Sequence, residues 1–466
     1  MKEIVSVPPP PPPLVHNQFE SVKELFNKYA VPTYARFDIA FTRGEGSYVW
    51  DVRGQRYLDL GGGIAVNCLG HANAEITETL IEQSKRLTHV SNLYYHEPQG
   101  RLAQNIVKHL APGKVFFCNS GAEADEGLFK LARKFGHDEG RFEIITAFNS
   151  FHGRTLAGIS ATGQEKVKKG FEPMTPGFRH VPFNDLQAVR DAISPATVAV
   201  LIEGIQGEGG LNLASPDYLL GLRALCDERK MLLMMDAVQC GHFRTGRYQS
   251  FQRILECEAD SLECGDLSPL SLPADLSAGA AGQVPPRKSS NKLEHSKFLP
   301  DAVSMAKSLG GGFPIGAFWV RDKYADLLGP GTHGTTFGGT PLGCAVANRI
   351  FDVIERDRLA DNARHTGEFL KSELQQIAVE FPHVLKAVRG LGFLLGIELA
   401  DKSRISAFAA SDQTASLQFV NRLHDASVLT IPAGPQVVRL LPALNLTRSQ
   451  GEEGLAVIRR VVEELA

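Results

Sequence analysis

Five short apolar runs, separated by segments with helical periodicity, constrain the fold of this chain more than any other sequence feature. The runs cover residues 115–118, 144–148, 198–203, 232–236 and 302–305. Continuous apolar strands that alternate with helices form a mostly parallel sheet with helices on both faces. The sequence therefore predicts an α/β fold built on one large sheet.

The chain has 466 residues, which is enough for two or three folding units. We expect residues 71–343 to form a large domain and residues 344–466 a smaller α+β domain. The elements predicted for the smaller domain are helices at 344–356, 366–379 and 450–465 and strands at 389–398 and 437–441. Residues 19–70 mix turns with short strands, and we expect them to pack with the smaller domain.

Two segments lack the pattern of a packed element. Residues 1–18 contain six consecutive prolines, Pro8 to Pro13, and predict a disordered tail. Residues 256–297 are rich in Ser, Pro, Ala and Gly, and predict a disordered surface insertion. The alternative for this insertion is a lid or an oligomer contact.

Composition excludes several classes of protein. Lys and Arg (49) nearly balance Asp and Glu (52), so we expect neither a nucleic-acid partner nor a membrane surface. No apolar run approaches the roughly 18 residues that span a bilayer. Seven cysteines without a C-x-x-C pair indicate reduced thiols in a cytoplasmic protein. The histidines show no metal-binding spacing, so no metal is expected.

The candidate functional residues follow the strands, because ligands of parallel sheets bind beyond the carboxyl ends of the strands. After the first run, residues 119–123 (NSGAE) open a helix whose N-terminus and Ser120 hydroxyl suit a phosphate. The chain contains no G-x-x-x-x-G-K-[ST] loop. The alternative is a simple capped helix in which Glu123, Asp125 and Glu126 compensate the helix dipole.

Two further strand ends carry charged or aromatic side chains. Phe151 and Arg154 follow the second run and suit ring stacking and carboxylate binding. Taken alone, the pattern favours a core position for Phe151 and a surface position for Arg154. Glu203 and Glu208 follow the third run among four glycines, which leave these acids poorly covered. Such acids need partners.

The last two strand ends supply a buried acid and a buried lysine, Asp236 and Lys307. A desolvated lysine acts as an imine-forming amine or as a base. A phosphate cradle, a stacking ring, a buried acid and a buried lysine together are what pyridoxal 5'-phosphate (PLP) requires. The glycines of 390–396 resemble a dinucleotide fingerprint, but their spacing is one residue too long and no helix follows.

Several longer segments resemble class III aminotransferases, PLP enzymes of fold type I, and most closely the acetylornithine and ornithine aminotransferase group. The segments are GGGIAVNCLGH (61–71), NSGAEADEGLFKLARK (119–134), FHGRT (151–155), EGIQGEGG (203–210), DAVQCGHFRTG (236–246), AKSLGGGFPIGA (306–317), HGTTFGGTPLGCA (333–345), RGLGFLLGIEL (389–399) and VRLLPAL (438–444). The resemblance implies a large domain with a mostly parallel sheet, a smaller α+β domain, and a homodimer with shared active sites.

For the cofactor, the resemblance implies that Lys307 bonds to PLP and moves the proton, while Asp236 pairs with the ring nitrogen. It assigns the other contacts to Ser120, Gly121 and Ala122 at the phosphate, Phe151 and Val238 on the ring faces, Gln239 at the phenolic oxygen, and Thr336 at the phosphate of the partner subunit.

For the substrates, the resemblance implies that Arg154 binds a carboxylate, with Thr335 and Glu203 nearby. Arg439 resembles a second arginine that pairs with Glu208 in the resting enzyme and binds glutamate or 2-oxoglutarate when Glu208 swings away. Some positions depart from the family pattern, namely Ala122, Ala237 and Thr340.

The function that the resemblance implies is transfer of the terminal amino group of N-acetylornithine to 2-oxoglutarate, a step of arginine biosynthesis. Ornithine, succinylornithine and 4-aminobutyrate stay open as donors, because a pocket whose shape the sequence does not give distinguishes them. An aminomutase or decarboxylase on the same fold, and an inactive binding protein of the PLP fold, are the alternatives of other classes.

Overall fold

The computed structural model describes residues 18–263 and 298–466. Its strands are Phe41–Glu45 (β1), Tyr48–Asp51 (β2), Arg56–Asp59 (β3), Gly113–Cys118 (β4), Glu143–Ala147 (β5), Phe178–Val181 (β6), Thr197–Glu203 (β7), Ile205–Gln206 (β8), Asn212–Leu213 (β9), Leu232–Asp236 (β10), Ala302–Met305 (β11), Gly316–Arg321 (β12), Leu385–Leu391 (β13), Leu394–Leu399 (β14), Val428–Leu429 (β15), Ile431–Ala433 (β16) and Val437–Leu440 (β17).

Its α-helices are Gln18–Tyr29 (α1), Gly62–Ala65 (α2), Ala74–Arg86 (α3), Glu97–His109 (α4), Gly121–Gly136 (α5), Leu156–Ala161 (α6), Leu186–Ala192 (α7), Pro216–Glu228 (α8), Ser250–Glu263 (α9), Pro341–Arg356 (α10), Leu359–Glu380 (α11), Ser406–Ala409 (α12), Ala415–Asp425 (α13) and Arg448–Glu463 (α14). None of the helices in the described ranges combines the length and apolarity that crossing a bilayer requires.

The central sheet has seven strands in the order β4-β12-β11-β10-β7-β5-β6. Strand β12 runs antiparallel to both of its neighbours, and the remaining strands run parallel to one another. The predicted α/β fold with a mostly parallel sheet is therefore confirmed. All seven residues of β7 are buried, as expected of an apolar strand covered on both faces.

Helix α5 covers one face of this sheet and begins within the NSGAE motif (119–123), the candidate phosphate site. Ser120 caps the helix, since its Oγ accepts a hydrogen bond from the Glu123 N–H at 3.2 Å. Gly127 lets the helix approach β12 closely, because a Cβ there would lie 2.2 Å from the Phe318 ring. The N-terminus of α5 is thereby held at the edge where the parallel strands end.

Two four-stranded sheets are formed by the N-terminal and C-terminal parts of the described chain. One has the order β13-β14-β17-β16, and the other has the order β1-β2-β3-β15. In the second sheet β15 pairs with β3 in parallel, so the region before residue 60 and the region after residue 425 share one sheet. These sheets pack beside the large one, which matches the smaller α+β part of the predicted fold class.

Two predictions of local structure need correction. The predicted strand 389–398 is a hairpin of β13 and β14, because the backbone at Gly392 has a φ of +56° and turns there. The predicted insertion starts too early, because α9 continues through residue 263. Its remainder, residues 264–297, and residues 1–17 of the predicted tail lie outside the described residues.

Arg244 joins the large sheet to the smaller parts of the fold. Its guanidinium is fully buried and donates to the carbonyls of Phe393 (3.2 Å) and Pro442 (2.7 Å) and to the Ser308 hydroxyl (3.3 Å). Burial lowers the pKa of Arg244 to about 10, so the side chain stays cationic at neutral pH. Three separate segments therefore depend on one buried cation.

We expect Arg244→Met to lower the free energy of unfolding by about 3 kcal/mol, because two buried carbonyls and a hydroxyl lose their donor. Chemical denaturation of the holoenzyme measures this change. The control is Arg101→Met, at an exposed arginine paired with Glu97, with an expected change under about 0.5 kcal/mol. Equal free energies of unfolding for both variants would show that the hydrogen bonds of Arg244 do not stabilise the fold.

Candidate functional site

A cavity of about 380 Å³ opens at the carboxyl ends of the parallel strands. Its volume suits a small cofactor with a substrate. The lining includes most of the sequence-predicted site residues, namely Ser120, Gly121, Ala122, Phe151, Arg154, Glu203, Glu208, Asp236, Val238, Gln239 and Lys307. Residues separated by almost 190 positions in the sequence thus meet at one edge of the sheet, as parallel topology requires.

One end of the cavity is formed by the N-terminus of α5. Gly121 is the first residue of this helix, and a Cβ on it would lie 2.7 Å from Val238 Cγ1. Gly153 has a φ of +104°, and its bare Cα faces Ala122. These glycines let the strand-end loops pack closely against the first turn of α5. The backbone N–H groups of a helix N-terminus suit a phosphate.

The floor of the cavity is built around the Asp236 carboxylate, which is 4% exposed. Its Oδ1 accepts from the Val238 N–H at 3.0 Å, and its Oδ2 lies 2.9 Å from Nδ1 of His152. His152 is completely buried, and its Nε2 has no hydrogen-bond partner in the described structure. A buried carboxylate held in this way presents a fixed negative charge toward the cavity.

Lys307 lies two residues after the end of β11 and opens a short 3₁₀ turn with a φ of +48°. A left-handed conformation is strained for a residue with a side chain, and such strain concentrates at functional sites. Burial lowers the pKa of Lys307, and the nearby charges of Glu208 and Asp236 only partly oppose this effect. The amine is therefore neutral more often than an ordinary lysine, as a nucleophile must be.

Arg439 and Glu208 form a two-point ion pair beside the cavity. Nη1 of Arg439 lies 2.6 Å from Oε1 of Glu208, and Nη2 lies 3.1 Å from Oε2. Gln239 joins them, since its Oε1 accepts from Arg439 at 3.0 Å. Burial alone would raise the pKa of Glu208, but the Arg439 guanidinium outweighs burial and holds this pKa below its usual value.

Glu203 and Arg154 differ in burial. Glu203 is buried, and its two oxygens accept from the N–H groups of Phe151 (3.2 Å) and Gly207 (3.1 Å). It therefore orders the loops around the cavity as well as lining it. Arg154 is exposed at the mouth, with its guanidinium carbon 5.4 Å from the centre of the Phe151 ring.

Three predicted residues do not line the cavity of this chain. Arg439 lies behind Glu208. Thr335 contacts the cavity indirectly, because its Oγ1 accepts from the Asn119 side chain at 3.2 Å. Thr336 is exposed at the surface, on the segment that also carries the 65% exposed Phe337.

Sequence reasoning missed two residues of the floor. His152 lies inside the quoted FHGRT segment, and its position next to Phe151 at a strand end was a signal for a role. Asp125 was considered only as a charge near the helix N-terminus, but the structure turns it inward, 2% exposed, against the Ser304 hydroxyl at 2.6 Å. The periodicity of α5 was the available signal, since it places residue 125 on the buried face.

The donor set fits PLP. The N-terminus of α5 can hold the phosphate, Phe151 and Val238 can cover the ring, and Asp236 can accept a hydrogen bond from the ring nitrogen. Lys307, with its lowered pKa, can bond to the aldehyde carbon. The fold and this site together define a PLP-dependent enzyme of fold type I.

Comparison with known proteins identifies the family. The profile of aminotransferase class-III matches residues 29–265 and 292–462. The acetylornithine aminotransferase of Gloeobacter violaceus is 38% identical, over 96% of this chain and 98% of its own length. The succinylornithine transaminase/acetylornithine aminotransferase of Pseudomonas aeruginosa is 40% identical, over 94% and 96%. The chain belongs to the class III aminotransferases and is a PLP-dependent transaminase.

Solved structures agree with this family. The crystal structure of the ornithine aminotransferase from Toxoplasma gondii ME49 superposes with a TM-score of 0.81 at 28% identity, covering 96% of this chain and 95% of that one. The acetylornithine aminotransferase of Elizabethkingia anophelis superposes with a TM-score of 0.75 at 29% identity, covering 96% and 99%. The predicted family, fold class and cofactor are confirmed.

We expect Gly121→Ala to weaken cofactor binding by about tenfold, because the new methyl group overpacks against Val238, and such overpacking costs about 1–3 kcal/mol. Titration of the cofactor-free protein with PLP, followed by visible absorbance, measures the affinity. Gly100→Ala in α4 is the control, since a Cβ there meets nothing within 4 Å. If Gly121→Ala binds PLP with unchanged affinity, the close packing of Gly121 against Val238 is not required for cofactor binding.

Proposed function

We propose that this transaminase moves the terminal amino group of N-acetylornithine to 2-oxoglutarate, in arginine biosynthesis. The names of its relatives support this donor, since acetylornithine aminotransferases from several bacteria are 37–40% identical over at least 90% of the chain. Succinylornithine is the second candidate, because the 40% identical Pseudomonas aeruginosa relative carries both names.

The observation that carries the proposal is the ion pair of Glu208 and Arg439. A donor with a protonated amine arm is accommodated while Glu208 neutralises Arg439. A dicarboxylate is accommodated when Glu208 moves aside and the Arg439 fork binds the carboxylate at two points. An aminomutase needs no such change between two substrates, so the pair favours a transaminase with 2-oxoglutarate as acceptor.

In the mechanism, bound PLP supplies an aldehyde carbon that bonds to amines and a ring that withdraws electrons. Lys307 would hold PLP through Nζ, and the same Nζ would accept the proton that leaves the substrate carbon and deliver it to the cofactor carbon. Asp236 keeps the ring nitrogen protonated through a charge-assisted hydrogen bond. Arg154, at the mouth, binds the carboxylate of the amine donor.

The first test compares donors in the half-reaction of the purified enzyme, followed by the loss of visible cofactor absorbance. N-acetylornithine, succinylornithine, ornithine and 4-aminobutyrate are compared at equal concentration. We expect N-acetylornithine to give the highest kcat/KM, because the exposed Arg154 has room for a donor with an acylated amine beside its carboxylate. A preference for unacylated ornithine would overturn the proposed donor and leave the cofactor site intact.

We expect Arg439→Ala to lower kcat/KM for 2-oxoglutarate by about 100-fold, because a two-point charged contact is lost. The loss in the donor half-reaction should stay under about tenfold. Arg439→Lys keeps the charge but not the fork, and we expect an intermediate loss for 2-oxoglutarate. Equal losses in both half-reactions would contradict the proposed switch, and a thermal melt of each variant checks the fold.

We further propose a homodimer in which each site takes Thr336 from the partner subunit. The exposure of Thr336 and of the neighbouring Phe337 supports this, together with the large exposed side chains of Leu93, Tyr94 and Tyr95. Exposed apolar patches of this kind mark interfaces.

Mixed dimers test the assignment of Thr336. When Lys307→Ala and Thr336→Ala subunits are combined, a shared site predicts that one site per dimer regains both native residues. PLP should then bind that site with wild-type affinity. If every lysine-bearing site keeps the weakened affinity of Thr336→Ala, the residue acts within its own subunit.

We also propose a cytoplasmic location for the protein. We further propose a large domain at residues 71–343 and a smaller domain at residues 344–466, with residues 19–70 packed against the smaller domain. The buried thiols of Cys68, Cys118, Cys226, Cys240 and Cys344, none in a disulfide, support a reducing compartment. The pairing of β15 with β3 supports the contact between residues 19–70 and the smaller domain.

A further inference from the structure

The floor of the cofactor cavity holds a second carboxyl group beside Asp236. Asp125 comes from α5, lines the cavity, and is 2% exposed. One carboxyl oxygen of Asp125, one of Asp236 and a ring nitrogen of His152 all lie within 4.8 Å of one another. Two buried carboxylates this close repel strongly if both are ionised.

The donors around these acids are unevenly distributed. Asp236 accepts from the Val238 N–H and faces His152, and Glu203 accepts from two backbone N–H groups. Within the described structure, the Ser304 hydroxyl is the donor to Asp125, at 2.6 Å from its Oδ1. Donors stabilise a carboxylate, so Asp125 is the least stabilised anion of the three.

The charges facing Asp125 come from each element packed around it. Asp236 ends β10 and Glu203 ends β7, whereas His152 lies in the loop after β5 and Lys307 lies in the turn after β11. In the holoenzyme the Lys307 amine would be bonded to the cofactor. Burial, and next the charge of Asp236, raise the pKa of Asp125 well above its ordinary value.

We propose that Asp125 is a neutral carboxylic acid in the working enzyme and donates its proton in a hydrogen bond to Asp236. The two carboxyl groups then carry one negative charge between them. That charge stays on Asp236, where His152 and the Val238 N–H fix its direction toward the cavity. Asp125 is in this sense a positioning residue, which acts on the cofactor through Asp236.

This inference rests on the proposed contact of Asp236 with the ring nitrogen, but not on the identity of the amine donor. Asparagine at position 125 would reproduce the neutral acid, because its amide oxygen accepts from Ser304 and its amide N–H donates to Asp236. Leucine at this position fills a similar volume and can do neither. The pair of variants therefore separates hydrogen bonding from packing.

The primary test is infrared spectroscopy of the holoenzyme at neutral pH, in which the spectrum of each variant is subtracted from that of the wild type. We expect a carbonyl band of a protonated carboxylic acid, absent in Asp125→Asn and retained in Glu203→Gln. Glu203 is the necessary control, because burial and the charge of Asp236 raise its pKa as well. Absence of the band from the wild type, or its loss in Glu203→Gln alone, would overturn the proposal.

The second test is the rate at which the holoenzyme releases PLP, followed by visible absorbance. We expect Asp125→Asn to release the cofactor within about twofold of the wild-type rate, and Asp125→Leu about tenfold faster, because Asp236 has lost one donor. Equal rates in the two variants would show that Asp125 acts through packing alone. These rates do not depend on which donor the enzyme prefers, so the proposal can fail while the transaminase function stands.

Stability gives a third readout. Between the ordinary carboxyl pKa of about 4 and a raised folded-state pKa, the folded protein binds more protons, so its stability falls as the pH rises. Asp125→Asn removes this loss. We expect its melting temperature to exceed the wild-type value by a margin that grows from pH 5 to pH 8, whereas the exposed Asp138→Asn shows a constant difference. A margin independent of pH would contradict a proton held by Asp125.

Discussion

The rest of the site depends on a buried carboxylate, Asp236, fixed at the end of a central strand. Taking a carboxylate out of water is costly unless hydrogen bonds or a cation compensate it. Here the Val238 N–H and His152 satisfy its oxygens and leave the charge directed into the cavity. The proposed contact with the ring nitrogen of PLP would complete the compensation, and the cofactor and the folded floor would then stabilise each other.

The geometry around that carboxylate is compatible with the proposed use of one cavity by two unlike substrates. Cofactor residues come from rigid strand ends and from the capped N-terminus of α5, where small movements are resisted by a packed sheet. The ion pair of Glu208 and Arg439 lies between a glycine-rich loop and β17, outside that rigid floor. Glu208, which lies on a loop, can move while the floor of the cavity stays fixed. In the proposed switch, the residues that select a substrate carboxylate are therefore separate from those that carry out amino transfer.

Much of this was predictable because it depends on local pattern. Apolar runs located the strands of the sheet, and the residue that follows each run located Lys307, Asp236 and the phosphate cradle. Strand β12 is missing from the sequence prediction, although five of its six residues are buried. Its antiparallel direction depends on the strands beside it and has no local signal. The single predicted strand 389–398 contains the turn of the β13–β14 hairpin. At this turn Gly392 has a φ of +56° and lies so close to the Arg244 carbonyl that a Cβ would be 2.6 Å from its oxygen, a contact that exists only in the folded chain.

The sequence by itself determined the class of fold, the cofactor and the family, because strand periodicity and short motifs act over a few residues. Only the tertiary structure decided which side chains share a charge environment. Asp125 has the sequence appearance of a helix-dipole acid, and its burial against Asp236 arises from the rotation of α5 upon the sheet. Likewise, Arg439 reaches Glu208 across 231 positions only once the strands have paired. Electrostatic energies depend on distance and desolvation, and both are properties of the folded chain.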